Sequence, residues 1–309
     1  MHLLIPFASA LSEAGAHTLR DLELPRLARL LAMLTPTQRL GTDEYGLSVP
    51  HESALAAAWG WQGAEGALPF AARAARADGI EVLDLAWGLL TPSHWHVGRE
   101  HITLVDPDAL DLAEDESRAL FEAVRELFES EGFALAWGAP LRWYAAHESL
   151  AALPCASLDR VIGRNVDLWL PKHPQARLIR RLQNEVQMLL YPHALTEARE
   201  ARGALPVNSF WLSGCGRFQP SADDAVTVDA SLRRPLLGED WAAWAEAWRA
   251  LDAGPLAALA QRADRGEPVQ LTLCGDRHAQ RFEAAPRSLW QRVAGRWSAP
   301  SPAAVLEAL

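Results

Sequence analysis

The densest group of chemically versatile side chains in this sequence is Pro92-Ser93-His94-Trp95-His96-Val97-Gly98-Arg99-Glu100-His101. In an extended strand His94 and His96 point to one face, with Trp95 and Val97 on the other. A two-residue turn at Arg99-Glu100 sets Val97 against Ile102 and Trp95 against Leu104, the register that keeps one face apolar. The same register brings His94, His96 and His101 to the opposite face, with Glu100 near. Three imidazoles so grouped suit a divalent metal, the one cofactor the sequence suggests. The competing reading is a polar sheet face on which histidine is simply tolerated.

A second cluster runs from Tyr191 to Gly216. It reads as a helix ending at Gly203, a strand from Val207, and a glycine-rich turn at Gly214-Cys215-Gly216. Such a turn exposes backbone N–H groups to an anion. Arg199 and Arg202 serve as forks, and Asn208, Gly214 and Gly216 complete the set. A small phosphorylated ligand is the expected occupant. Glycines are equally at home in any tight turn that needs positive φ.

Other chemistries find no support. The sequence has no Gly-x-Ser-x-Gly elbow, no P-loop and no Gly-x-Gly-x-x-Gly between strand and helix. The cysteines Cys155, Cys215 and Cys274 are far apart and form no CxxC, which points to buried thiols in a reducing cytoplasm. His147 could join two of them in a nucleophile–base scheme, but no spacing requires it, and no catalytic residue is assigned. A net charge of −10 argues against a nucleic-acid backbone binder. The apolar start, Met1 to Ala8, lacks a basic region and contains Pro6; it reads as a first strand, not a membrane segment.

The elements that must position these groups alternate between helix and strand. Helices are expected from Pro25 to Leu34, from Ser48 or Pro50 towards Trp59, from Pro69 to Asp78-Gly79, and from an Asp111/Glu114 cap to Glu131. A longer one spans Pro174 to Leu190, with Leu178, Leu182, Met188 and Leu189 inward and Arg180 and Arg181 outward. Strands are expected at 81–91, 101–105, 133–138, 141–144, 207–212, 225–228, 269–274 and 280–282. This is an α/β or α+β chain with a mixed sheet flanked by helices. It forms one domain or two lobes, residues 1–153 and 154–309. Tryptophan is over-used, 13 against 8 Phe and 3 Tyr, while Lys172 is the sole lysine. Trp241, Trp244 and Trp248 share one helix face, and Leu-Ala-Trp-Gly recurs at 85–88 and 135–138 beside strands. Both features read as packing.

Two resemblances follow. His193, Arg199, Gly203, Pro206, Asn208 and Gly214-Cys215-Gly216 are similar in spacing to a segment of the archaeal-type cofactor-independent phosphoglycerate mutases. Thr196 and Ser213 stand where that pattern has Asn and Arg. Across its length the chain resembles the bacterial RpfE-type family, named for regulation of pathogenicity factors. The carriers are Trp87-Gly88 with Thr91-Pro92-Ser93-His94-Trp95-His96-Val97-Gly98, Asp106-Pro107, Arg142-Trp143, Arg181 to Leu189, and Asn208 to Gly214. The second resemblance implies a cytosolic regulatory protein with a protein partner. The first implies phosphoryl transfer with two metal ions and an early Asp ligand. Yet the first 20 residues contain no Asp, the first strand leads into Ala8-Ser9-Ala10, and Asp78-Gly79 reads as a helix stop. A later Asp-x-His, Asp276-Arg277-His278, suits a hairpin turn as well as a metal.

Overall fold

An unbroken apolar run suits a strand covered on both faces, and strand β1 (His2–Ile5) is buried at every position. The computed structural model describes residues 1–222, 225–284 and 301–309, with helix and strand mixed as expected. β1 lies in a five-stranded mixed sheet ordered β2 (Thr35–Leu40), β11 (Ala279–Glu283), β10 (Gln270–Cys274), β1, β9 (Val226–Val228). It runs parallel to β9 and β10, while β11 is antiparallel to β10 and β2. Helices α1 (Glu13–Asp21), α2 (Pro25–Met33), α10 (Trp241–Leu251) and α11 (Ala257–Asp264) share its main core. There Leu27, Leu30, Trp244, Trp248 and Leu259 join Leu3, Ile5, Leu271 and Leu273. Helix α3 (Pro50–Trp59) packs on β10 and β11. With α9 (Arg233–Leu237) and a last helix, Pro302–Glu307, these elements form a compact unit of residues 1–60 and 221–309.

α2 begins on Pro25 without a side-chain cap of its own. Its orphan N–H groups are met from elsewhere. The buried carboxylate of Asp252 accepts from Arg26 N at 3.1 Å and Leu27 N at 2.8 Å, favourably placed at the positive end of the helix. Asp252 opens a π-helical turn, Asp252–Leu256, where Pro255 cannot donate and the helix widens.

The second unit, residues 61–220, is built on an antiparallel sheet. Its order is β6 (Ala134–Ala139), β7 (Arg142–Ala146), β3 (Ala86–Ser93), β8 (Ser209–Arg217). On one face, α5 (Glu114–Glu129) and α7 (Arg177–Leu190) set Leu120, Phe121, Ile179 and Leu182 among Leu90, Trp143, Phe210 and Leu212. On the other, α4 (Phe70–Ala77) lays Ala71, Ala72 and Ala75 on Trp87, Tyr144 and Ala146. A separate hairpin joins β4 (Trp95–Val97) to β5 (Ile102–Leu104). Two short helices, α6 (Leu158–Val161) and α8 (Ala194–Ala201), complete the unit.

Several expectations need correction. The units part at 60/61 and 220/221, and the seam expected at 153/154 runs through the second unit. Leu150, Leu153 and Cys155 are buried in that unit's core. The strand expected from Glu81 begins only at Ala86. Asp111 does not cap α5; it takes a left-handed conformation after the short turn Pro107–Leu110, and Ala113 precedes the helix without a side-chain bond. On α7 the buried stripe is Ile179, Leu182, Val186 and Leu190, one residue off the expected phase, which leaves Met188 exposed. The Leu-Ala-Trp-Gly repeat is architectural. Both copies fall at strand irregularities, between Trp87 and Leu89 and between Trp137 and Ala139. A Cβ on Gly88 would meet Leu212 Cδ1 at 2.6 Å, and one on Gly138 would meet Asp78 Oδ2 at 2.4 Å. Trp241 to Trp248 form the expected helical stripe, with Trp244 and Trp248 fully buried. Residues 298–300 of the expected terminal loop lie outside the described residues.

Candidate functional site

The histidine hairpin adopts the expected register: Trp95 opposite Leu104, His96 opposite Thr103, Val97 opposite Ile102. Gly98 N donates to His101 O at 3.0 Å across the Arg99-Glu100 turn. Trp95 and Leu104 are buried, while His96 and His101 are exposed. His94 is half-buried, its Nδ1 donating to Pro206 O at 2.9 Å, and its ring centroid is 6.3 Å from that of His96. Sharing a face is not convergence. Among the described residues no group of three or more His, Cys, Asp or Glu side chains is arranged to hold a metal ion. The expected metal site at His94, His96 and His101 does not assemble.

The proposed anion site is also differently employed. Arg199 is 1% exposed. Its Nη1 donates to Glu116 Oε2 at 2.5 Å, its Nε to Leu205 O at 2.8 Å, and its Nη2 to Leu110 O. Arg202 donates to the other oxygen of Glu116 at 2.7 Å. Burial alone would raise the Glu116 pKa. The hydrogen bond from Arg202 and the charges of both arginines outweigh it and hold the carboxyl below its ordinary range. Asn208 acts as a surrogate strand: its Oδ1 accepts from Trp95 N at 2.8 Å and its Nδ2 donates to Trp95 O at 3.0 Å. Gly214 and Gly216 are not in a turn. Both lie in β8 with φ of 64° and 149°, where a Cβ would meet Ala71 N at 2.8 Å or Pro69 Cβ at 3.0 Å. Their small size lets the start of α4 approach the strand. His193 caps α8 by accepting from Leu195 N, and Thr196 donates to Leu190 O.

Asp78 is equally occupied. Its carboxylate accepts two hydrogen bonds from Arg142, at 2.8 and 2.9 Å, and one from the Tyr144 hydroxyl at 2.6 Å. The Arg142 bond, with help from Tyr144, lowers its pKa against the effect of burial. Burial, then the Asp78 charge and hydrogen bond, push the Tyr144 hydroxyl up.

In open α/β sheets, ligands gather beyond the carboxyl ends of parallel strands. In the first unit that rim is formed by the residues following β1, β9 and β10. Phe7, just past β1, has φ of 58°, a strained value for a bulky residue. Its carbonyl accepts from Trp244 Nε1 at 3.2 Å, and its ring lies 5.2 Å from that of His51. Past β10, a Cβ on Gly275 would meet Leu309 Cβ at 2.6 Å and Ser9 Cβ at 2.9 Å. Arg277 N and His278 N, at 2.9 and 2.6 Å, both donate to Leu309 O. Leu309 is itself 2% exposed, and Arg39 Nη2 secures Ala308 O at 2.6 Å. Desolvation, then the positive charges of Arg39 and Arg277, lower the His278 pKa. The Asp276-Arg277-His278 turn therefore binds a main-chain oxygen of the same chain.

The cysteines offer no nucleophile. Cys155 Sγ and Cys215 Sγ lie 3.7 Å apart, both buried. The hydrogen bond with Cys155, together with burial, pushes the Cys215 thiol up, and burial does the same to Cys274. Native protein treated with iodoacetamide at neutral pH is expected to carry no label on Cys155, Cys215 or Cys274, and unfolded protein to carry all three. Stoichiometric labelling of native Cys215 by mass spectrometry would contradict this.

No family model matches the chain, and no curated protein matches it significantly in sequence. Two solved structures are similar to it at low identity. One is a cofactor-independent phosphoglycerate mutase from Thermoplasma acidophilum DSM 1728, with 13% identity, TM-score 0.37, and coverage of 100% of this chain and 98% of that one. The other is the PH0037 protein from Pyrococcus horikoshii, with 14% identity, TM-score 0.46, and coverage of 92% and 87%. The RpfE-type resemblance rests on its motifs alone. No helix among the described residues is long and apolar enough to cross a membrane. Sequence reasoning missed Glu116, because a single carboxylate in an acidic helix start gives no sign of an arginine partner 83 positions away.

Proposed function

We propose that this chain is a cytosolic regulatory or interaction protein without catalytic activity, in which a mutase-like segment has been kept as architecture. The observation that carries the reading is the rim beyond β1 and β10. Immediately past β1, where metal-dependent phosphoryl transfer would place a carboxylate ligand, this chain has Phe7, Ala8 and Ser9, and among the described residues no group of three or more His, Cys, Asp or Glu could hold a metal ion. Beside them the backbone donors of Arg277 and His278 hold Leu309 O. The mutase-like residues add to this, since His193, Arg199, Asn208, Gly214 and Gly216 each have a packing or capping partner. The exposed hairpin tip, with Val97 74% exposed beside His96 and His101, is the surface on which a partner protein is expected.

The test is enzymatic. Purified protein supplied with Mn²⁺, Mg²⁺ or Zn²⁺ is expected to leave 3- and 2-phosphoglycerate unconverted. Turnover that a chelator abolishes and metal restores would establish the rival reading, a metal-dependent phosphoryl-transfer enzyme.

A further inference from the structure

Among the described residues, the two most exposed large apolar side chains are Tyr191, 83% exposed, and Met188, 77% exposed. They stand one turn apart at the C-terminal end of α7, where Tyr191 N donates to Gln187 O and continues the helical turn. A single exposed apolar residue is ordinary on a protein surface, whereas neighbours at i and i+3 form a patch. Contact with each other does not account for them, because each stays open to water over most of its surface.

The same face continues towards the start of the helix. At roughly 100° per residue, Arg177, Arg180, Arg181 and Asn184 fall with Met188 and Tyr191 inside an arc of about 100°. All six are exposed. They lie opposite the stripe of Ile179, Leu182, Val186 and Leu190 that enters the core. Arg181 is matched, to Glu131 at 2.5 Å and Glu185 at 3.6 Å. Arg177 and Arg180 have no carboxylate at ion-pair distance among the described residues. Nor do they serve the helix itself, whose first turn holds no acidic residue and where cations oppose the macrodipole.

The chain carries a net charge of −10, so these arginines are a local reversal of sign that draws in an acidic partner while the rest of the surface repels it. Arg, Met and Tyr are residue types that protein interfaces favour, and Met adapts its shape to an apolar partner. The arginines and the apolar pair are separated by about ten residues, or about 15 Å along the axis. A bilayer fits less well. Interfacial helices lay a continuous apolar face into lipid, and α7 spends its own on the core. A nucleic-acid backbone needs a broader basic surface than one helix of an acidic chain presents.

From this we infer that the exposed face of α7 is a docking surface for an acidic segment of a partner protein. Clustered carboxylates of that segment meet Arg177 and Arg180, and an apolar side chain about 15 Å further on covers Met188 and Tyr191. The inference deepens the reading of the chain as an interaction protein and rests on it only in requiring a protein partner. The phosphoglycerate assay tests that reading and peptide binding tests this one, so the two fail separately.

The test is fluorescence anisotropy of the full chain with a labelled peptide of about 16 residues, carrying a glutamate cluster at one end and Leu and Trp about ten residues later. Saturable binding that weakens as salt rises is expected. It should fall by about tenfold or more in Arg177→Glu/Arg180→Glu, and by about fivefold or more in Met188→Ser/Tyr191→Ser. Both variants should melt with the native protein, because every altered side chain is exposed. Absence of saturable binding overturns the proposal, as does equal binding of peptides with lysine for glutamate or alanine for Leu and Trp. Affinity unchanged in either variant, or tighter binding to phosphatidylserine vesicles or duplex DNA, also overturns it. So does self-association of the native chain that both variants lose, since the face would then join two copies. A variant that melts well below the native protein would assign these residues to the fold and overturn it as well.

Discussion

Arg199→Met is expected to lower folding stability by about 3–5 kcal/mol, the range for removing one member of a buried ion pair. Arg199 is 1% exposed and the Glu116 side chain 8%, so neither charge has water to fall back on. Methionine keeps most of the stem volume and removes the guanidinium. Glu116 is then left with only Arg202, and the carbonyls of Leu110 and Leu205 lose their donor. Arg199→Lys keeps the charge but cannot direct three donors along three fixed directions, so an intermediate loss is expected. Arg202→Met is the control: its side chain is 51% exposed, and its loss should cost less than about 1 kcal/mol. Urea unfolding of the full chain distinguishes these values. An Arg199→Met protein as stable as Arg202→Met would show that the buried pair is not what joins α8 to the start of α5.

The same pair gives a pH dependence whose sign is fixed. The carboxyl of Glu116 is held below its ordinary value by its arginines, despite burial. Its stabilising contribution is therefore complete above the unfolded pKa of about 4.3 and is lost as pH falls through the folded value. Glu116→Gln should be less stable than the native protein at neutral pH. The two should draw together as the pH drops below about 4.

Local patterning made the histidine hairpin legible, because only one register keeps Trp95, Val97, Ile102 and Leu104 on one face. It could not say whether imidazoles on a shared face converge, which depends on side-chain direction and backbone twist. The glycines of 214–216 misled for a related reason. Positive φ signals a turn when the chain reverses, but here it serves a strand on which the N-terminus of α4 sits closely. Arg199 looked like an anion fork because a glycine-rich segment, Gly214-Cys215-Gly216, follows its helix and the next strand in sequence. Its true partner comes from α5, and no local period encodes a contact of that range. The tryptophans were read correctly as architecture, although their hydrogen-bond partners were invisible.

One of those partners, Ser117, carries the second large expected effect. Its hydroxyl accepts from Trp137 Nε1 at 3.1 Å and Trp143 Nε1 at 3.0 Å, and donates to Pro140 O at 2.8 Å. One donor and two acceptor sites are all that a serine offers, so the group is saturated. It ties α5 to the turn and both strands of the β6–β7 hairpin. Ser117→Ala removes a single oxygen yet leaves two indole N–H groups and a carbonyl unpaired, and Trp143 is 1% exposed. A loss of about 2–4 kcal/mol follows if each of the two stranded indole N–H groups costs between one and two. The Trp143→Phe change strips a donor but leaves Ser117 its other two bonds. Combined with Ser117→Ala it also removes one of the stranded groups, so the double variant should lose less than the sum of the singles, by about 1 kcal/mol or more. Strict additivity in that cycle would mean the Trp143 indole bond contributes nothing. A Ser117→Ala loss below about 1 kcal/mol would mean that water reaches these groups after all.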